Sequence, residues 1–244
     1  MKVRKTSLAI FIFVLLTGLA FAQTVDEIIA KNIEAKGGYE KLKSVNSLKI
    51  TANATQMGME FKMTMIRKRP NKFRMEAEIQ GMKLIRAFDG EKAWTINPFS
   101  GDSTPQEMSQ EEQKVIKENS DFDGPLMDYK KKGNSVELIG KVDMEGSEVY
   151  KIKVVQKGGS IIYYFIDPEC FLELKSITKF LLGDQEVEQE AYYSDYKEFG
   201  GMMIAHSIEQ KGTQTPSIQT TIEKIEINPE IDDSIFVMPK KQEK

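Results

Sequence analysis

Residues 57 to 65 place Met57, Met59, Phe61, Met63 and Met65 on every second position. A period of two is the mark of a strand with one apolar face. The run "KFRMEAEIQG" continues it, with Phe73, Met75, Ala77 and Ile79 on one parity and Arg74, Glu76, Glu78 and Gln80 on the other. This predicts a half-buried antiparallel strand. Further strand patterns follow at 84–88, 93–96, 136–142, 149–155, 161–166, 172–178, 186–198, 202–210 and 217–227, and Asp89-Gly90 marks a hairpin turn. In the last of these strands Ile218, Thr220 and Ile222 share one parity while Ile225 and Ile227 take the other, which predicts a bulge near Glu223.

Helical periodicity is confined to two places. Thr24 and Glu27 form a capping box ahead of Val25, Ile28, Ile29 and Ile33, and Gly37-Gly38 ends the pattern. In mid-chain, Thr104-Pro105 with Glu107 reads as a helix start, Met108, Val115 and Ile116 as a thin apolar face, and Gly124-Pro125 as a restart that ends at Gly133. The expected architecture is mainly β: one long antiparallel sheet, a helix at the start and a helical insertion in the middle. A sheet of that length must curl. It either closes into a filled barrel or stays an open half-barrel whose hollow the helices cover.

The first 22 residues look unlike the rest. Lys2, Arg4 and Lys5 precede an apolar run from Leu8 to Leu19, and Ala20-Phe21-Ala22 is a small-x-small cleavage site, so 1–22 reads as a signal peptide cut after Ala22. An uncleaved anchor is the alternative, against which the apolar run is short. No cysteine follows the cut, so the lipobox of a lipoprotein is missing, and residues 23–244 are expected to form one exported domain. The chain carries 34 Lys and Arg against 37 Asp and Glu, net −3, and loss of the three leader cations leaves 31 against 37, net −6. That balance argues against nucleic acid as a partner.

Chemistry-bearing groups are sparse. Cys170 and His206 are each the only residue of their kind, so no internal disulfide can form, and the thiol is expected to be buried as a small hydrophobe. There is no phosphate loop, no G-x-S-x-G and no metal-ligand spacing, so neither enzyme activity nor a cofactor or metal is expected. The methionines are the unusual feature: six of thirteen, at 57, 59, 63, 65, 75 and 82, lie within 26 residues. Strands normally fill buried positions with stiffer side chains, whereas methionine moulds itself to irregular partners such as a lipid chain. The stripe is compatible with an ordinary core and with a ligand-facing wall.

"KRPNKF" at 68–73, then "FDGEKAWTINPF" at 88–99, resemble the LolA-type periplasmic lipoprotein carrier family, through Arg69, Pro70, Asn71 and Phe73, and Asp89, Gly90, Trp94, Asn97, Pro98 and Phe99. "IDPECFLELKSI", "YSDYKEFGGMMIAHSI" and "IDDSIFVMP" are similar in order to the closing strands of outer-membrane lipoprotein-sorting proteins. The resemblance implies an open, curved half-barrel of LolA/LolB type with a helical lid over an apolar cavity, and Arg69 as the lid latch. It implies lipoprotein acyl chains or phospholipid as ligand, an inner-membrane ABC transporter as donor, an outer-membrane acceptor, the periplasm as address and a monomeric state. The cavity wall is expected to comprise Met57, Met59, Phe61, Met63, Met65, Phe73, Met75, Ile79 and Trp94. The other functional reading is an envelope module of the same fold that senses lipid or lipoprotein. The chain is longer than typical members, its strands from 182 to 227 are extended, and its lid sequence has no close match.

Overall fold

A computed structural model describes residues 23–213 and 216–240. The proposed leader, the last four residues of the charged tail and residues 214–215 lie outside the described residues. Thirteen strands form one antiparallel sheet in the order β6-β5-β4-β3-β2-β1-β13-β12-β11-β10-β9-β8-β7. They are β1 Ser47–Gln56, β2 Met59–Lys68, β3 Lys72–Ile79, β4 Met82–Phe88, β5 Ala93–Asn97, β6 Asp102–Glu107, β7 Ser135–Met144, β8 Ser147–Val155, β9 Ile161–Ile166, β10 Glu173–Leu182, β11 Gln185–Phe199, β12 Met202–Gly212 and β13 Ile218–Ile227. β6 and β7 end the sheet and do not pair with each other, so it is open rather than a closed barrel.

The helices are α1 Val25–Ala35, α2 Tyr39–Ser44, α3 Gln110–Asn119 and α4 Tyr129–Lys132. α3 lies against both β5 and β10. In a flat sheet strands eight places apart would be about 38 Å away from each other, so the sheet curls around the helix.

α1 begins where the sequence predicts. The Glu27 N–H donates to the Thr24 hydroxyl at 3.2 Å, and the Thr24 N–H donates to the Glu27 carboxylate at 2.8 Å. Ile28 and Ile29 bury against Ile152, Val154, Ile162 and Ile166, a burial contributing roughly 3 to 6 kcal/mol for the two side chains. At Gly37, with φ of 121°, a Cβ would sit 2.4 Å from the Gly201 carbonyl oxygen, so only glycine lets α1 end this close to β12.

The bulge falls where the parity switches. Thr51 pairs with Lys224 and Ala52 with Ile222, which leaves Glu223 unpaired. All five isoleucine and threonine positions, 218, 220, 222, 225 and 227, thereby face the same side.

Four expectations are corrected. Thr104 and Pro105 lie in β6, not in a helix; the true start is Ser109, whose hydroxyl accepts the Glu112 N–H while Glu112 caps Ser109 in return. Proline is tolerated in β6 because an edge strand leaves half of its N–H groups unused. Gly124-Pro125 starts no helix; α4 begins only at Tyr129, after Asp128 in the left-handed region. Met57 is not in a strand: with φ of 50°, followed by Gly58 at 77°, it makes the β1–β2 turn. Cys170 is exposed, in the turn after β9, where its N–H donates to Asp167.

Candidate functional site

Strand pairing fixes which side chains share a face. Across β13, β1, β2 and β3 run the rows Ile222–Ala52–Met63–Ala77, Ile225–Ile50–Met65–Met75 and Ile227–Leu48–Arg67–Phe73. These lie on the inner, concave face, because α1 and α3 pack on the same side through Ile28, Ile29 and Ile116. Small residues floor the trough: Ala52, Ala54 and Ala77 are buried. Phe61, Met63, Met65, Phe73, Met75 and Ile79 are half-buried above them. Toward β8 and β9 the trough is plugged by α1. Toward β4 and β5 it is closed by Phe88, Ala93 and Met108, with Phe73 and Ile116 against them.

Between α1, α2, the segment after α3, the start of β1 and the end of β2 lies a cavity of about 220 Å³. Its wall includes Ile33, Leu42, Val45, Leu48, Leu126 and Met127, with Arg67 and Asp123 as polar members.

Two arginines of β2 and its following turn hold the segment over this cavity. Arg67 donates through Nη2 to the carbonyls of Asn119 at 3.3 Å and Asp121 at 2.6 Å, at the C-terminal end of α3. Its Nε has no partner among the described residues. Burial pulls its guanidinium below the usual arginine range, with Asp121 and Asp123 acting against that. Arg69 donates to Val45 O at 2.6 Å, to Leu42 O at 3.0 Å and to Asp123 Oδ1 at 2.6 Å. Both guanidinium groups lie over the Phe122 ring, at 5.7 and 4.5 Å from its centroid. Lys43 then links Asp123 at 2.6 Å to Asp128 at 2.9 Å, and Lys132 pairs with Asp121 at 2.6 Å. Burial tends to raise the Asp123 carboxyl pKa, but hydrogen bonds from Arg69 and Lys43 outweigh it and hold the group below the usual carboxylate range. Lys43 and Lys131 hold Asp128 well below that range.

The expected cavity wall is thus divided. Met57 sits in a turn and Met59 is 43% exposed at the hairpin end. Phe61, Met63, Met65, Phe73, Met75 and Ile79 share the trough face but do not line the cavity. Trp94 is on the outer face. It pairs with Ala87, opposite in parity to Phe88, and its indole N–H donates to Phe236 O at 2.7 Å beneath the C-terminal segment. Trp94 is therefore withdrawn from the wall, and Arg67 is added to the site. The clue to Arg67 was parity, since it continues the Met59–Met65 series as the one charge on the apolar face. His206 pairs with Asp195 at 2.9 Å, and among the described residues no acidic, histidine or cysteine group is arranged to hold a metal.

No protein-family model matches the sequence, and no curated relative does. Solved structures match the fold. A LolA superfamily protein of Nitrosomonas europaea superposes with a TM-score of 0.59 at 11% identity, covering 88% of this chain and 98% of that one. A DUF1329 family protein of Desulfovibrio piger gives 0.56 at 11% identity, covering 88% and 98%. A domain described as an outer membrane lipoprotein-sorting protein, from Vibrio parahaemolyticus, gives 0.55 at 9% identity, covering 86% and 95%. The chain has a LolA-like fold, as its motifs around Arg69 and Asp89 imply.

Proposed function

We propose that the protein is an exported, periplasmic carrier that shelters acyl chains, of lipoproteins or of other lipids, in the apolar trough. The observation that carries this reading is the combination of a half-buried apolar concave face with a covering segment that Arg67, Arg69 and Lys43 tie down through hydrogen bonds and ion pairs. A chain of 16 carbons in water costs on the order of 12 kcal/mol, so a soluble carrier must offer it comparable apolar surface. The cavity of about 220 Å³ falls below the roughly 300 to 1,000 Å³ of ordinary ligand pockets. Cargo entry therefore requires the segment from α3 to α4 to lift, joining the cavity to the half-buried Phe61, Met63, Met65 and Met75. Arg67 and Arg69 act as the latch, since a guanidinium fork can hold several carbonyls and release them as a unit. No covalent step or cofactor enters this mechanism. A membrane transporter as donor and an outer-membrane acceptor complete the proposed route.

Native mass spectrometry of protein purified from the periplasm of a bacterial host should reveal bound phospholipid or acylated peptide. Delipidated protein should then take up a fluorescent fatty-acyl probe that the extracted lipid displaces. Protein that arrives empty and ignores the probe would sink the proposal.

A further inference from the structure

The hairpin of β10 and β11 reaches past both of its neighbours. On one side the outermost pair with β9 is Lys179 with Ile161, and on the other the outermost pair with β12 is Gln189 with Gly212. Thr213 adds two further bonds, from its N–H and its hydroxyl, both to the Glu188 carbonyl. Beyond these, Phe180, Leu181 and Leu182 pair only with Val187, Glu186 and Gln185. The result, among the described residues, is a two-stranded finger closed by a turn at Gly183-Asp184, standing about 10 Å clear of the sheet.

Its tip carries one exposed leucine on each face. Leu181 is 62% exposed and Leu182 41% exposed, and successive strand residues point to opposite faces. Phe180 and Leu182 continue the trough face through Ser176 and Thr178, whereas Leu181 leaves on the outer face with Lys179. A groove in a partner protein covers one face of a strand. A medium that surrounds the tip covers both. On the outer face Glu186 stands opposite Leu181, and Lys179 behind it pairs with Glu188 at 2.7 Å and approaches Glu186 at 3.8 Å, whereas on the trough face Phe180 and Val187 carry the apolar character back toward the sheet. Acids outnumber bases on the finger, through Asp184, Glu186 and Glu188 against Lys179, on a chain whose net charge is −3. That sign disfavours an anionic surface.

We propose that the finger docks the protein on a zwitterionic phospholipid bilayer, with Leu181 and Leu182 in the interfacial layer. Met59 and Met82, exposed at the β1–β2 and β3–β4 turns, lie at the same end of the sheet and meet the same surface. The inference stands whether or not the trough holds lipid.

The test is flotation of the chain from Gln23 onward, which contains every described residue, with phosphatidylcholine–phosphatidylethanolamine vesicles. The parent protein floats, and the Leu181→Ser/Leu182→Ser double variant binds about tenfold more weakly while keeping its melting temperature and its uptake of the acyl probe. In a second variant, Leu182→Trp, fluorescence shifts to the blue on adding vesicles and is quenched by brominated lipid. Absence of parent flotation, equal flotation of the double variant, or binding that requires phosphatidylglycerol each overturns the proposal. So does a dimer that forms without vesicles and is lost in the double variant, which would assign the finger to a second copy. Loss of acyl-probe uptake in the parent, with flotation intact, sinks the carrier reading and leaves the docking finger standing.

Discussion

Arg69 and Asp123 meet at 2.6 Å, joining the turn after β2 to the loop after α3 across the mouth of the cavity. Both side chains are largely withdrawn from water, at 21% and 10% exposure. The same guanidinium satisfies two carbonyls at the end of α2. Arg69→Leu therefore strands one carboxylate and two carbonyls at once. We expect a loss of about 2 kcal/mol in urea unfolding, unchanged circular dichroism, and faster entry and exit of an acyl probe. Arg69→Lys should recover only part of the effect, because an ammonium cannot hold the three acceptors in a plane. Probe exchange at the parental rate in Arg69→Leu would remove this residue from the latch.

Arg67 offers a separable test, since it binds α3 rather than α2. Arg67→Met keeps volume and apolar contact with Phe122 but removes the bonds to Asn119 and Asp121. It also removes a buried Nε that has no partner. The two effects oppose each other, so global stability should move by less than about 1 kcal/mol. Amide hydrogen exchange should nevertheless rise severalfold over residues 110–122 and stay unchanged in α1. Uniform exchange across the chain would show that Arg67 serves packing alone.

Trp94 and Met63 lie on opposite faces of the sheet and should fail differently. Trp94→Phe loses the indole bond to Phe236 O under the C-terminal segment, at a cost of about 1 to 2 kcal/mol, with acyl-probe affinity unchanged. Met63→Ser places a hydroxyl in the middle of the trough face and should weaken probe binding several-fold with a smaller effect on stability. Weaker probe binding in Trp94→Phe alone would reverse the assignment of faces.

The contrast between those two residues also shows what the sequence makes legible. From residue 57 onward, period-two runs mark every strand but β6, because pairing partners and solvent impose alternation on each strand separately. The parity switch at Glu223 was readable for the same reason: five side chains must face one way, and one extra residue is the only local means. Trp94 was misplaced because its face depends on how many residues the turn from Asp89 to Lys92 takes up. That turn sets the register of β5 against β4. Thr104-Pro105 carried a sound local cap signal that lost to pairing with β5, while Ser109, two residues past Glu107, had the complete capping box. The cavity was beyond reach altogether, since Leu42, Leu48, Leu126 and Met202 come together only through the curl of the sheet. The protruding finger needed the registers of three strand pairs.

The lid network sets a pH dependence whose direction follows from its carboxylates. Asp123, bonded by Arg69 and Lys43, and Asp128, bonded by Lys43, Lys131 and Tyr39, both titrate below their ordinary range in the folded protein. The unfolded value is about 4. Their contribution is therefore complete above about pH 4 and is lost as the pH falls through the folded values. Lys43 is shifted the other way, upward, by the same two carboxylates against the pull of burial. Its contribution persists until the solution becomes more basic than about pH 10. Release of a bound acyl probe should accordingly be flat between pH 5 and 9 and accelerate below about pH 4. In Arg69→Leu the acid limb should begin at higher pH, because Asp123 has lost the donor that depresses it. The measurement is a stopped-flow release rate from pH 2.5 to 9 for both proteins. A rise between pH 7 and 6 in the parent would exclude the Asp123–Lys43–Asp128 bridge as the element that controls opening.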